Sequence, residues 1–138
     1  MNAISISILF FIIIDVDSNA SLTPFSERSM SVNSRFDGHI VQGHVDEVAV
    51  CTEVSETDGS WKYVFKHSKN NITVEKGSIT INGVSLTVVD STENSFSVAI
   101  IPYTYKNTNF NQINVGSKVN LEFDIIGKYI SKMINRTS

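Results

Sequence analysis

The run Lys76-Gly77-Ser78-Ile79-Thr80-Ile81-Asn82-Gly83-Val84-Ser85-Leu86-Thr87-Val88 decides the fold class. Two turn signals, Lys76-Gly77 and Asn82-Gly83, separate the β-rich stretches Ser78 to Ile81 and Val84 to Asp90. Side chains on a strand alternate between faces, so Val84, Leu86 and Val88 share one face and belong to a core. Ser85 and Thr87 then stand together on the opposite face as two neighbouring hydroxyls. Gly83, with no Cβ, lets a flat ligand approach the backbone just upstream.

The same pattern extends both ways. Upstream, Ile40 to Val54 reads as one long or bulged strand, with Gly43 as the bulge or close-approach point. Asp58-Gly59 is a hairpin signal before Trp61 to Phe65, and Ile72 to Val74 reads as a further short strand. Downstream, Thr92-Glu93-Asn94 turns into Ser95 to Ile101, where Phe96, Val98 and Ile100 face in and Pro102 closes the strand. A coil rich in Asn and Thr follows. Lys118 to Phe123 is the last strand, with Val119, Leu121 and Phe123 inward and Asn120, Glu122 and Asp124 outward. Ile126 to Ile134 carries apolar residues at helical spacing. These elements predict an all-β chain: a six-stranded antiparallel Greek-key β-barrel with a C-terminal helix, because closure removes exposed strand edges.

Composition agrees. Of 138 residues, 17 Ile, 15 Val and 10 Thr are β-branched, a stock that suits pleated sheets better than helical bundles. The length fits one domain, and 41% apolar with 18% charged residues excludes disorder. With 11 basic and 14 acidic residues the net charge is −3, which gives no footprint for nucleic acid. The single Cys51 forms no internal disulfide and no Cys-based zinc site, in keeping with a reducing, cytoplasmic setting. Residues 1–33 stand apart. Ala3 to Ile14 is apolar but shorter than the roughly 20 residues a membrane helix needs, and no basic residue precedes it as a signal peptide would require. We read it as a strand or a product of where the reading frame begins, followed by a Ser-rich lead-in, with the domain proper at residues 34–138.

The chemistry-bearing residues each have an ordinary reading. Hydroxyls on an outer strand face are usually just solvated. His39 and His44, five apart, point to opposite faces of a continuous strand, so no metal site is expected there. Asp124 at a strand end suits a turn or helix cap. His67 lies in a polar loop, where solvation is expected. Taken alone, the residues predict a barrel with one ligand-binding face and no assigned reaction.

Four motifs add a resemblance. Ser34-Arg35-Phe36-Asp37-Gly38-His39-Ile40-Val41-Gln42-Gly43-His44-Val45-Asp46 resembles the start of the second barrel of the riboflavin synthase family. Val74 to Val88, Ile100-Ile101-Pro102-Tyr103-Thr104 with Thr108, and Val115-Gly116-Ser117-Lys118-Val119-Asn120-Leu121-Glu122 on to Tyr129 continue it in order, across residues 34 to 130. Even Ser26-Glu27-Arg28 resembles the tail of the preceding strand. The resemblance implies two tandem barrels per family chain, a C-terminal helix that helps build a trimer, and a site shared between barrels of neighbouring subunits. It implies conversion of two 6,7-dimethyl-8-ribityllumazine molecules into riboflavin and 5-amino-6-ribitylamino-pyrimidinedione, with no metal or organic cofactor.

Carried over by position, the resemblance implies catalytic roles for Ser85, His44 and Asp124. It implies substrate contacts from Gly43, Lys76, Gly83, Thr87, Ile101, Pro102 and Thr104. Two departures stand out: the family's opening Met-Phe-Thr-Gly-Ile is absent, and the first barrel's Cys is a Ser at position 85. Asn111 also stands where Gly is frequent, a position Asn tolerates better than most residues. The expectation is therefore the C-terminal half of a synthase, truncated or split, needing a partner barrel or a homo-oligomer. The alternatives are a non-catalytic lumazine- or flavin-binding module, or an inert fragment of a disrupted gene.

Overall fold

A computed structural model describes residues 38–136. The expected strand or lead-in in residues 1–33 lies outside the described residues. Six strands are present: β1 (Glu47–Thr57), β2 (Ser60–Lys66), β3 (Ser78–Ile81), β4 (Val84–Ser91), β5 (Ser95–Ile100) and β6 (Lys118–Phe123). They close into an antiparallel barrel in the order β1-β2-β5-β4-β3-β6, with β6 pairing back onto β1. Two helices complete it, α1 (Pro102–Asn107) and α2 (Ile125–Ile134), with a 3₁₀ turn at Asn109–Gln112.

Turn chemistry sets the hairpins. Asp58-Gly59 joins β1 to β2 and Asn82-Gly83 joins β3 to β4, each with both residues at positive φ (52° and 77°, 47° and 86°). That is the two-residue turn whose twist matches the strands, and Asn, Asp and Gly adopt it at least cost. Alternation then fills the barrel. Val88, Phe96, Val98, Ile100, Val119, Leu121 and Phe123 are all buried, joined by Ala49, Cys51, Tyr63, Phe65, Ile79 and Ile81, while Val84 and Leu86 pack against them. Tyr63, fully enclosed, donates its hydroxyl to the Phe110 carbonyl at 2.8 Å, and burial pushes that phenol up to about 12.

Several expectations need correction. The strand expected from Ile40 starts only at Glu47; residues 38–46 run as a strap, joined to β6 at its end by Asp46 N–H donating to the Leu121 carbonyl at 2.8 Å. Gly43, at φ 74°, turns the chain so that the Gln42 and His44 N–H groups meet the Glu122 side chain instead of a neighbouring strand. Ile72 to Val74 is not a strand: Ile72 and Val74 are exposed, and Val74 is drawn into a turn by Gly77 N–H donating to its carbonyl. The stretch after Pro102 is not coil but α1 and the 3₁₀ turn. Proline at the first helical position costs no hydrogen bond there, and the Thr108 hydroxyl caps the 3₁₀ turn at Phe110 N–H. His67 is not solvated; it is 6% exposed, packed against the rings of Phe96 and Phe123. Its Nδ1 lies 3.5 Å from Glu47 Oε1, an ion-pair distance without a hydrogen bond, and neither ring nitrogen has a hydrogen-bond partner.

Candidate functional site

The outer face of β6, β3 and β4 carries one continuous row. Glu122 registers with Thr80, and Thr80 registers with Ser85. The strap Gly38–Asp46 lies over this row. At its start, His39 Nδ1 is 2.7 Å from the Ser85 hydroxyl and its Nε2 is 3.1 Å from the Thr80 hydroxyl. Further along, Glu122 Oε1 accepts from Gln42 N–H at 2.6 Å and Oε2 from His44 N–H at 2.9 Å. Asp46 ends the strap: its Oδ2 accepts from Phe123 N–H, and both its oxygens accept from Lys128 Nζ of α2 at 2.9 Å.

A neutral imidazole has one donor and one acceptor nitrogen, so one of the two hydroxyls donates to His39 and the other accepts from it. Burial holds His39 below the ordinary value of 6.5, and the negative charges of Asp124 and Glu122 oppose that shift without reversing it. Burial thus favours the neutral ring, and Thr80, His39 and Ser85 form a chain along which a proton can move.

Beside Ser85 the sheet is half open. Val88 directs both peptide groups at the turn before β3, accepting from Lys76 N–H and donating to the Gly77 carbonyl. Peptide groups alternate along a strand, so those of Ser85 and Thr87 face the other way, towards β5. Among the described residues the β4–β5 ladder has only Val88↔Val98 and Ser91↔Phe96; because Val88 points its own groups away, the Val88↔Val98 pair is bonded through its flanking residues, which engages Thr87 and leaves Ser85 below the ladder. Carrying the Val88↔Val98 register down β4 brings Ser85 to the level of Ile101, which is exposed together with Pro102 at the start of α1. We call this exposed region between Ser85 and the Ile101–Pro102 corner the slot. Hydroxyls and main-chain groups line one side, and an apolar corner lines the other, which is the mixture a planar heterocycle with a polar tail requires.

The structure distributes the residues singled out from sequence unevenly. Ser85, Thr87, Ile101 and Pro102 flank the slot, and all four are exposed. Thr104 is half-buried on α1, its carbonyl accepting from the Thr108 hydroxyl. Gly43 and Gly83 line a cleft of about 10 Å³ with Thr80 and Glu122, which is room for one water and no ring. Lys76, at φ 62° in the turn opposite Val88, is exposed. His44 is also exposed; the histidine on Ser85 is His39. Asp124 caps α2, accepting from Ile126 N–H at 2.9 Å.

Sequence reasoning passed over His39, Thr80 and Glu122. Gly38-His39 stood in the quoted motif, but a straight-strand reading separated the two histidines. Alternation put Glu122 outward correctly, yet it is only 5% exposed because the strap covers it.

A larger cavity, about 670 Å³, opens between α2 and residues 70–78, with Phe123, Asp124, Lys128 and Ile130 in its wall. It is the gap left by a helix that buries none of its residues against the barrel. The hydroxyl–imidazole chain of Ser85, His39 and Thr80 lies outside this cavity. Among the described residues no group of three His, Cys, Asp or Glu side chains could hold a metal.

A family model described as a lumazine binding domain matches residues 42–124. The riboflavin synthase of Actinobacillus pleuropneumoniae is 49% identical over 110 residues, which are 78% of this chain and 51% of that protein. That of Bacillus subtilis is 42% identical over 114 residues, 81% of this chain and 53% of that protein. The chain thus spans about half the length of the curated relatives it matches. Among solved structures, LumP complexed with riboflavin superimposes with a TM-score of 0.60 at 25% identity, covering 65% of this chain and 50% of that one. LumP complexed with 6,7-dimethyl-8-(1'-D-ribityl) lumazine gives 0.56 at 25% identity, covering 62% and 48%.

Proposed function

Because this chain belongs to the lumazine-binding domain family of the riboflavin synthases, we propose that it binds 6,7-dimethyl-8-ribityllumazine and supplies one half of a riboflavin synthase site. The observation that carries this reading is the Ser85–His39–Thr80 chain at the end of β4 that is paired with β3 but carries no registered β5 partner. Riboflavin formation needs a proton to leave the methyl group next to the ring imine, and the carbanion so formed attacks a second lumazine. The substrate edge would pair with the outward peptide group of Ser85 and the Thr87 hydroxyl, the ring would lie against Ile101 and Pro102, and Thr104 would meet the ribityl chain. Ser85 would pass the methyl proton to neutral His39, whose conjugate acid the negative charges of Asp124 and Glu122 would favour. Holding two rings in register would supply much of the rate.

His44, Gly43, Gly83 and Lys76 would border the second ring or the strap that covers the row. The second lumazine needs a second barrel, from another copy of this chain in a homo-oligomer or from an N-terminal barrel partner. On this reading the domain runs from residue 34 to 138, works in the cytoplasm, and uses no cofactor.

The test is riboflavin formation from the lumazine, with the chain alone and with an added N-terminal barrel, alongside titration of riboflavin fluorescence. Turnover that falls in Ser85→Ala supports the synthase reading. Quenching without turnover in any mixture assigns a binding module instead, and neither binding nor turnover refutes the site.

A further inference from the structure

Glu122 is the least expected residue in the row. Its side chain is on the outer face of β6, where a barrel needs nothing but solvent-compatible groups, yet it is 5% exposed. Among the described residues no lysine or arginine pairs with it; its polar partners are the two N–H groups of Gln42 and His44. A carboxylate stripped of water and given no cation is costly unless its oxygens are otherwise satisfied. Here the polypeptide meets that requirement in a particular way. Gly43, at φ 74°, turns the strap so that the N–H groups on either side of it converge on one anion, a backbone nest filled by the chain's own side chain. An amide at this position could accept from only one of the two groups and would present its own NH₂ to the other.

The consequence reaches the other end of the strap. Glu122, Thr80 and Ser85 are cross-strand neighbours in one row, so a strap clamped at Glu122 runs on to place His39 over Thr80 and Ser85. We propose that Glu122 is a positioning residue: by clamping Gln42 and His44 N–H it holds the strap so that His39 meets Ser85, and thereby sets the affinity of the slot for its flavin-like ligand. This inference rests on the reading of the slot given above, and the test separates the two.

The test uses the full chain and Glu122→Gln. Three signals are read: the amide shifts of Gln42 and His44, the ring ¹⁵N shifts of His39, and riboflavin affinity by fluorescence quenching. Cys51→Ala, a core change, serves as the control for general destabilisation. Glu122→Gln should fold, move both amides upfield, give His39 a solvent-like ring, and weaken riboflavin binding about tenfold, a loss of about 1.4 kcal/mol. Glu122→Asp, which keeps both oxygens on a shorter arm, should be intermediate, and Cys51→Ala should leave all three signals in place. Should Glu122→Gln fail to fold, Gly43→Ala strains the same turn from the strap side and should release His39 in the same way. An unchanged His39 ring with affinity within about twofold of wild type overturns the proposal. Wild-type protein that does not bind riboflavin overturns the slot reading instead, while the two NMR signals still decide whether Glu122 places His39.

Discussion

Replacing Tyr105 should loosen the wall of the slot while leaving the barrel closed. Helix α1 carries Pro102 and Thr104 and follows directly on Ile101, yet it has no buried residue of its own. Its hold on the barrel is the stack of Tyr105 on Trp61, with ring centroids 3.9 Å apart and planes within 7°. An aromatic stack adds about 1 kcal/mol beyond the area it buries. Truncating a fully buried aromatic to Ala costs about 3–5 kcal/mol, so the half-buried Tyr105 should lose about 2 kcal/mol in Tyr105→Ala. In a domain of this size that lowers Tm by roughly 10 °C. Tyr105→Phe keeps the ring, and no hydrogen bond to the Tyr105 hydroxyl is present among the described residues, so it should stay within about 0.5 kcal/mol of wild type. Urea unfolding followed by Trp61, the single tryptophan, and by circular dichroism measures both variants. Riboflavin affinity should fall in Tyr105→Ala alone. If Ala and Phe at 105 unfold at the same urea concentration, the stack is not what holds α1, and the argument fails.

Other variants test other parts of the structure. Tyr63→Phe removes the bond to the Phe110 carbonyl, but that carbonyl also accepts from Ile113 N–H, so it is not orphaned; calorimetry should find a loss of about 1 kcal/mol and not 3. Gly77→Ala would set a Cβ 2.6 Å from Val74 Cγ2 and 2.9 Å from the Val74 carbonyl oxygen; since the carbonyl is main chain and cannot swing aside, urea titration should show at least about 1–3 kcal/mol of destabilisation. His67→Phe keeps aromatic volume between Phe96 and Phe123 and removes two buried nitrogens without partners, so its Tm should match or exceed wild type, and a large drop would give Glu47 a greater role than its 3.5 Å contact implies. His39 is held below 6.5 in the folded state, so the unfolded chain binds the proton first. Stability should fall as pH drops through 6.5 towards the lower folded value and level off beneath it, and His39→Gln should flatten that slope in unfolding curves taken from pH 8 to 5.

What could be read without coordinates was what depends on neighbours along the chain. Side-chain alternation placed Val88, Val98 and Leu121 inside and Ser85 and Thr87 outside. The Asn82-Gly83 and Asp58-Gly59 turns, and the helical spacing after Phe123, are equally local signals. The remainder depended on partners far away in sequence. Nothing near Gln42 announces that Glu122, eighty residues on, will accept its N–H; that contact turns an expected strand into a strap and covers an outward carboxylate. His67 is polar among polar neighbours, and only the closing of the barrel packs it against Phe96 and Phe123. The sequence by itself therefore determined the barrel, its inner face and the hydroxyl pair on β4, because those follow from a period of two and from turn stereochemistry. The tertiary structure alone decided which histidine meets Ser85, because that choice depends on where a bent strap lands across three paired strands.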